Sequence, residues 1–412
     1  MTGPTDLPSL PDARFAGLLD EAKALQPTTV ALRRALHRHP EVGLQLPATQ
    51  RAVLDALDGL PVETTLGTGT TSVTAVLRGA EPGPAVLLRA DMDALPMPED
   101  SGLEFASETD GVMHACGHDT HVAMLAGAAR LLAQHADELA GSVVLMFQPG
   151  EEGYHGARHM IHEGVLDAAG TRVRNAFALH TFANLPTGTI ATKPGPVLAS
   201  ADSFTVRVIG KGGHGSMPHT AIDPIPAAAE MVTALQSRLT RIVDVFDPAV
   251  VTVTRIAGGT TDNVIPESAE LEGTIRTLSE STRALLRTEV AAVCEKIGEA
   301  HGCRVVADVT PGFPVTATDE TESLRVLDLA AEVLGGQYVQ PMAHPLMGAE
   351  DFSYVLQRVP GAFAFLGACP PGEDPADAAP NHSNRVRYDE DALAYGVALY
   401  AAYALDTLRQ HS

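Results

Sequence analysis

Short apolar runs recur through the first half of the chain, each ends in polar residues, and long amphipathic stretches separate them. Residues 85–89, 142–147 and 175–179 have the length and composition of buried strands. Their alternation with helical segments predicts a largely parallel sheet covered on both faces. Asp91 and Asp93 follow the first run, Glu151 and Glu152 the second, and His180 the third. Open α/β sheets bind ligands beyond the carboxyl ends of their strands, so these polar residues are placed where a site forms. A helix over residues 120–134 is expected, with His118 and Asp119 at its start.

The pattern changes near Ser200. Residues 203–209 alternate as a half-buried strand does, the glycine-rich Gly210-Lys211-Gly212-Gly213 ends it as a turn, and Asp223-Pro224 caps and opens a helix running to residue 242. Strands over 250–256 and 269–277, a helix over 280–300 and a strand over 304–309 complete a β-α-β-β-α-β order. That is the split βαβ order of ferredoxin-like domains. Strand-helix alternation returns after Pro314, with a buried strand at 362–366 and a closing helix at 390–408. The reading is therefore a discontinuous first domain, residues 1–199 and 313–412, into which a second, residues 200–312, is inserted.

Composition narrows the classes. A chain of 412 residues exceeds what one core usually serves, and 45% hydrophobic with 19% charged residues is an ordinary globular balance. The net charge of −23 leaves no basic footprint for nucleic acid or an anionic membrane. Cys116, Cys294, Cys303 and Cys369 are too few and too scattered for a disulfide framework, and free thiols are expected. Residues 1–10 lack a basic segment followed by an apolar run, and no later stretch is apolar enough to span a bilayer. A soluble cytoplasmic protein is expected.

The chemistry gathers in His114-Ala115-Cys116-Gly117-His118-Asp119 and Gln148-Pro149-Gly150-Glu151-Glu152-Gly153. A thiolate and an imidazole two residues apart can turn toward one point, with Gly117 allowing the backbone to bend between them. A lone cysteine is more often a buried small hydrophobe, but these neighbours favour ligation. Two consecutive glutamates at a strand end can divide the work, Glu151 taking a proton from water and Glu152 holding a metal. His180 is either a further ligand or a satisfied core histidine. His114 can orient a ligand, and His121, inside the helix, is expected to pack or support. The pair His159 and His162 lacks the spacing of the zinc-protease helix, and Arg38-His39-Pro40-Glu41 reads as capping or surface solvation at a helix end. His301, His344 and His411 have no such context. Gly210 to Gly215 lacks the lysine-serine ending of a phosphate loop, so His214 fits transition-state stabilisation from a closing lid.

With these motifs in place the chain resembles the M20 metallopeptidases, in particular the amidohydrolase branch of hippurate and auxin-conjugate hydrolases. The landmarks, which span nearly the whole chain, are Leu36 to Glu41, Arg89 to Pro96, the Cys116/His118 motif, Pro149 to Gly153, Leu179-His180, Gly212 to Gly215, Asn263 to Pro266, Gly348 to Phe352 and Asn381-His382-Ser383. The resemblance implies an α/β di-metal catalytic domain of the phosphorylase/hydrolase-like class carrying an inserted ferredoxin-like α+β lid and dimerisation domain. It implies two divalent ions per subunit, Zn²⁺ or Mn²⁺ with Co²⁺ or Ni²⁺ as alternatives. The implied ligands are Cys116, His118, Glu152, His180 and His382, with Glu151 as general base and Asp93 orienting a ligand. It further implies that His214 reaches a partner subunit in a homodimer, and that Asn263, Arg276 and backbone near Gly348 meet the substrate. Tyr154-His155 departs from the small residues expected after the glutamate pair, and the departure is expected to narrow the acyl pocket.

The resulting expectation is hydrolysis of the amide bond in an N-acyl amino acid, releasing a carboxylic acid and a free amino acid. A dipeptidase or aminoacylase of the same fold would need an acid for the free α-amino group, and none stands out. A non-catalytic metal or small-molecule binder would have no use for an unligated Glu151 beside the ligand.

Overall fold

A computed structural model describes Phe15 and residues 17–409, so residues 1–10, read above for a targeting signal, and His411 lie outside the described residues. The chain divides into two compact units. The first takes the stretch up to Gly195, Thr318–Ala343 and the stretch from Val355 onward, and the second takes Pro196–Ala317 and His344–Tyr354. The sequence reading ran 313–412 as one piece, whereas residues 344–354 cluster with the second unit: Ala199 donates its amide hydrogen bond to the carbonyls of Leu346 and Gly348.

In the first unit, nine successive buried residues make the strand Ala140–Gln148, which requires cover on both faces. It pairs in parallel with Glu81–Asp91, which pairs in parallel with Val173–Phe182, and that strand in turn with Gly361–Gly367. The sheet is mixed rather than parallel throughout. Val62–Leu66 and Val73–Arg78 extend one edge and Ile190–Ala191 the other, all antiparallel, giving a seven-stranded sheet among the described residues. The register pairs Asp91 with Gln148 and Arg89 with Ala178, which brings Asp91, the turn after Gln148 and His180 to the same end of the sheet.

Helices Leu18–Arg38, His118–Gln134 and Ala392–Arg409 pack on one another and contribute to one core with the sheet, from Val86, Leu88, Leu145 and Phe177 to Val122, Leu125, Val397 and Leu405. Their approach is close because small residues line it. A Cβ at Gly396 would lie 2.0 Å from the Met124 sulfur. The second of these helices begins two residues before the expected start, so that His118 is its first residue and Gly117, left-handed at φ 87°, its cap.

The second unit has the antiparallel sheet order Ala249–Gly258, Ser268–Thr277, Ala201–Ile209, Arg304–Phe313. In chain order this is second, third, first, fourth, the split βαβ arrangement. One face alternates into the core, where Phe204, Val206, Val208, Leu271 and Ile275 meet Met231, Leu235, Leu286 and Val290 of helices Pro224–Ile242 and Glu280–Ala300. Asp223 and Ser279 cap these helices, accepting from the amides of Ile225 and Thr282. Cys294 and Cys303 are buried and free, as are Cys116 and Cys369. The glycine turn after Ile209 continues into a two-residue strand, Gly213–His214, paired with Val264–Ile265.

Candidate metal centre

The proposed ligands of the first unit are delivered by four pieces of that fold. Cys116 and His118 come from the loop and first helical residue after Met113, Glu152 from the turn beyond Gln148, His180 from the Val173–Phe182 strand and His382 from a loop before the last helix. The Cys116 sulfur lies 3.4 Å from His180 Nε2 and 3.2 Å from His382 Nε2, and His382 Nε2 is 3.3 Å from a Glu152 oxygen. Cys116, His118 and His180 have ligand atoms within 4.8 Å of one another, as do Cys116, Glu152 and His382, and as do His118, Glu151 and Glu152. The five ligand candidates therefore converge, with Glu151 beside them.

The tautomers follow from fixed partners. His118 Nδ1 lies 2.8 Å from the Asp93 carbonyl and His180 Nδ1 lies 2.9 Å from the Thr181 carbonyl. A carbonyl only accepts, so both rings donate from Nδ1 and turn a lone pair on Nε2 toward the cluster. Among the described residues, His118 Nε2 is buried without a hydrogen-bond partner, and the buried Glu152 Oε1 oxygen has only its 3.3 Å approach to His382 Nε2. A buried polar atom left unpaired is costly, and a cation shared among sulfur, nitrogen and carboxylate donors satisfies both.

Charge points the same way. Against the desolvation of full burial, the Asp91 carboxylate and Cys116 raise the pKa of His118 well above its ordinary value. His382 is pushed up to about 10, chiefly by its hydrogen bonds to Cys116 and Glu152. His180 moves the opposite way, lowered by burial and by His121. Burial and the Glu152 carboxylate raise the Cys116 thiol, opposed by His118 and His382. A donor set that raises two of its three imidazoles attracts positive charge, and metal binding there displaces protons.

Asp93 organises the glutamate turn. Its two carboxylate oxygens accept from the amides of Glu151, at 2.9 Å, and Glu152, at 3.0 Å, while its carbonyl takes the His118 ring. One residue thus sets both carboxylates and one imidazole. Behind them His121 accepts the Thr181 amide at Nε2, 2.8 Å, and donates from Nδ1 to Asp91, 2.5 Å. It has no nitrogen left for a metal, which agrees with a supporting place. Asp91 is also held by Arg89 at 2.6 Å and lies 3.5 Å from His118 Nε2.

Several residues that organise the site were given no such role from the sequence. Asn381 donates to the carbonyls of Cys116 and Thr181 and accepts from the Ala183 amide, tying the loop before His382 to the segments that carry Cys116 and His180. His382 itself is held at φ 69°, a left-handed conformation that non-glycine residues rarely adopt. Arg33 and His37 bind the buried Asp119 carboxylate at 2.7 and 2.9 Å, fixing the start of the ligand helix to the first helix. His114 is fully buried, and desolvation lowers its pKa to about 3. It therefore stays neutral, and among the described residues its ring nitrogens have no hydrogen-bond partner, so it orients no ligand by one. Glu41 accepts from the amides of Ala48 and Thr49 in the first turn of the next helix, rather than acting at the end of the helix before it. The Tyr154 ring packs over Gly43, where an added Cβ would meet ring carbons at 3.4 Å, and stays 45% exposed at the surface.

The remaining candidates belong to the second unit. His214 is exposed in its short strand, and Asn263 next to that strand accepts the Gly215 amide with its carbonyl. Arg276 is partly buried on the sheet face opposite the helices, and desolvation lowers its pKa against the pull of Asp202. The Gly348 carbonyl is taken by Ala199.

Gly117 gives a direct test of the loop. Its φ is 87°, and a Cβ there would lie 2.5 Å from the Thr181 hydroxyl and 3.0 Å from the Tyr388 ring. Gly117→Ala is expected to cost about 2–4 kcal/mol, from the left-handed backbone and the overpacking together. The readouts are a lowered unfolding midpoint and reduced metal content. An unchanged midpoint would mean that the loop has another conformation.

The description "Peptidase family M20/M25/M40" matches residues 87–406. Thermostable carboxypeptidase 2 of Saccharolobus solfataricus is 39% identical over 395 residues, covering 94% of this chain and 97% of that protein. N-acetylcysteine deacetylase of Bacillus subtilis is 38% identical, covering 94% and 98%. Among solved structures, the Bacillus subtilis YXEP protein, described as a dinuclear metal binding peptidase, superposes with a TM-score of 0.80 at 35% identity, covering 94% of this chain and 99% of that one.

Proposed function

This chain belongs to peptidase family M20/M25/M40, and from that premise we propose that it is a metal-dependent amidohydrolase cleaving N-acyl amino acids to a carboxylic acid and a free amino acid. One observation carries the reading: five donors from four segments converge, His118 Nε2 is buried and unpaired among them, and the Glu151 amide is held beside them by Asp93. Cys116, His118, Glu152, His180 and His382 would hold two divalent ions, Zn²⁺ or Mn²⁺, with Co²⁺ or Ni²⁺ as alternatives. Bound there, the ions supply Lewis acidity that polarises an acyl carbonyl and acidifies water.

The side chains do the rest. Glu151 accepts the proton of the attacking water and returns it to the leaving nitrogen, so the amine departs neutral. The His214 imidazole of a partner subunit donates a hydrogen bond to the carbonyl oxygen as it gains charge. Arg276, partly buried, gains most from a carboxylate partner, and it holds the substrate carboxylate with Asn263 while backbone near Gly348 lines the pocket. The active form in this reading is a homodimer in the cytoplasm. Among the described residues no helix is long and apolar enough to cross a membrane. The name of the Bacillus subtilis deacetylase favours an N-acyl substrate, and that of the Saccharolobus carboxypeptidase keeps a peptide bond as the second reading.

A panel of N-acetyl, N-benzoyl and longer N-acyl amino acids, alongside dipeptides and peptides with free carboxyl ends, tests this with each metal added. Release of amino acid from the N-acyl compounds is expected. Turnover confined to peptides would replace the amidohydrolase reading with a carboxypeptidase. Cys116→Ala is expected to lower both metal occupancy and rate, whereas alanine at Cys294, Cys303 or Cys369 changes neither by much. Purified Cys116→Ala with normal metal content would remove Cys116 from the ligand set.

A further inference from the structure

The hairpin that carries His214 is tied at several points. His214 pairs with Val264, the Gly215 amide donates to the Asn263 carbonyl at 2.8 Å, and the Met217 amide donates to the His214 carbonyl at 2.8 Å. Within that turn the His214 ring is not free to choose its tautomer. Its Nδ1 lies 3.1 Å from the Ser216 amide nitrogen and 2.8 Å from the Ser216 hydroxyl. A hydroxyl can donate or accept, but a backbone amide can only donate. Nδ1 must therefore present its lone pair, and the single proton of the neutral ring sits on Nε2.

We propose that Ser216 is a positioning residue that fixes His214 as the Nε2–H tautomer, making the outer nitrogen of this exposed ring a hydrogen-bond donor and not a base. The inference rests on the reading of His214 as the group that meets the substrate carbonyl. A developing oxyanion needs a donor that is already aimed, because reorientation or tautomer exchange during the reaction would use part of the stabilisation it provides. With its acceptor nitrogen occupied by Ser216, His214 cannot also take the proton of the attacking water. The acid-base work falls to Glu151 alone. The hydroxyl holds the ring plane as well as the tautomer, since it and the amide approach Nδ1 from the residue two positions on.

The test compares wild type, Ser216→Ala, Ser216→Thr and His214→Ala in the full-length, metal-loaded protein. Loss of one hydrogen bond to the ring predicts that Ser216→Ala lowers kcat about fivefold to tenfold, with KM changed by less than about twofold. Ser216→Thr keeps the hydroxyl and restores most of the rate. Long-range proton-nitrogen correlation spectra of ¹⁵N-histidine-labelled protein, with the His214 signals assigned by their absence in His214→Ala, read the tautomer directly. Wild type should show a protonated Nε2 and a bare Nδ1, and Ser216→Ala, which keeps the backbone amide donor, should keep that tautomer while losing the hydroxyl's hold on the ring. A wild-type ring protonated at Nδ1, an unchanged kcat in Ser216→Ala, or a threonine variant no better than alanine would each overturn the proposal. Full activity in His214→Ala would instead remove His214 from the reaction. An inactive His214→Ala beside an undiminished Ser216→Ala leaves the proposed function standing and removes only the role of Ser216.

Discussion

Glu151→Gln is expected to reduce turnover by about 10²-fold or more while metal content stays near that of the wild-type protein. The substitution keeps the size of the side chain and its capacity to hydrogen-bond, and removes the ability to accept and return a proton. The backbone contact to Asp93 survives the change, because the Glu151 amide donates to it at 2.9 Å whatever the side chain. The same substitution at Glu152 should behave differently. The buried Oε1 of that carboxylate lies 3.3 Å from His382 Nε2, within the donor cluster, so its loss should remove metal together with rate. The measurements are steady-state turnover and metal analysis of both purified variants. A fully active Glu151→Gln, or one that has lost its metal, would reverse the roles of base and ligand given to the two carboxylates.

The parts of this site that sequence conveyed are those encoded within a few residues of one another. Cys116-Gly117-His118 and Glu151-Glu152 announce their chemistry by spacing alone, and the alternation of residues 203–209 and the Asp223-Pro224 cap set the elements of the second unit. Long-range partners had no such signature. Asn381 reaches Cys116 and Thr181 across 265 and 200 positions, and Arg33 reaches Asp119 across 86, so nothing local marks them as organisers of the ligand loops. Elements were missed for a related reason. Val62–Leu66 is an edge strand with four of its five residues exposed, too polar to stand out, and Gly213–His214 is a strand only through its pairing with Val264–Ile265. Residues 344–354 return to the second unit through backbone hydrogen bonds to Ala199, which hydrophobic periodicity does not record.

Two inactive chains should repair each other. If His214 of one subunit serves the metals of its partner, then His214→Ala and Glu151→Gln each inactivate a homodimer in which both sites carry the same defect. In a mixed dimer the defects segregate: one site receives Glu151 from its own chain and His214 from the other, while the second site lacks both. Random assortment makes about half of the dimers mixed, and each has one intact site of two, so co-expression in equal amounts should restore about a quarter of wild-type specific activity. Differently tagged chains purified in tandem isolate the mixed species, which should then reach about half. The structure makes His214 suitable for such a reach, being exposed on a short strand rather than packed into its own unit. Mixed dimers that form and remain as inactive as their parents would show that no site is shared, and would confine His214 to its own chain or to no catalytic part at all.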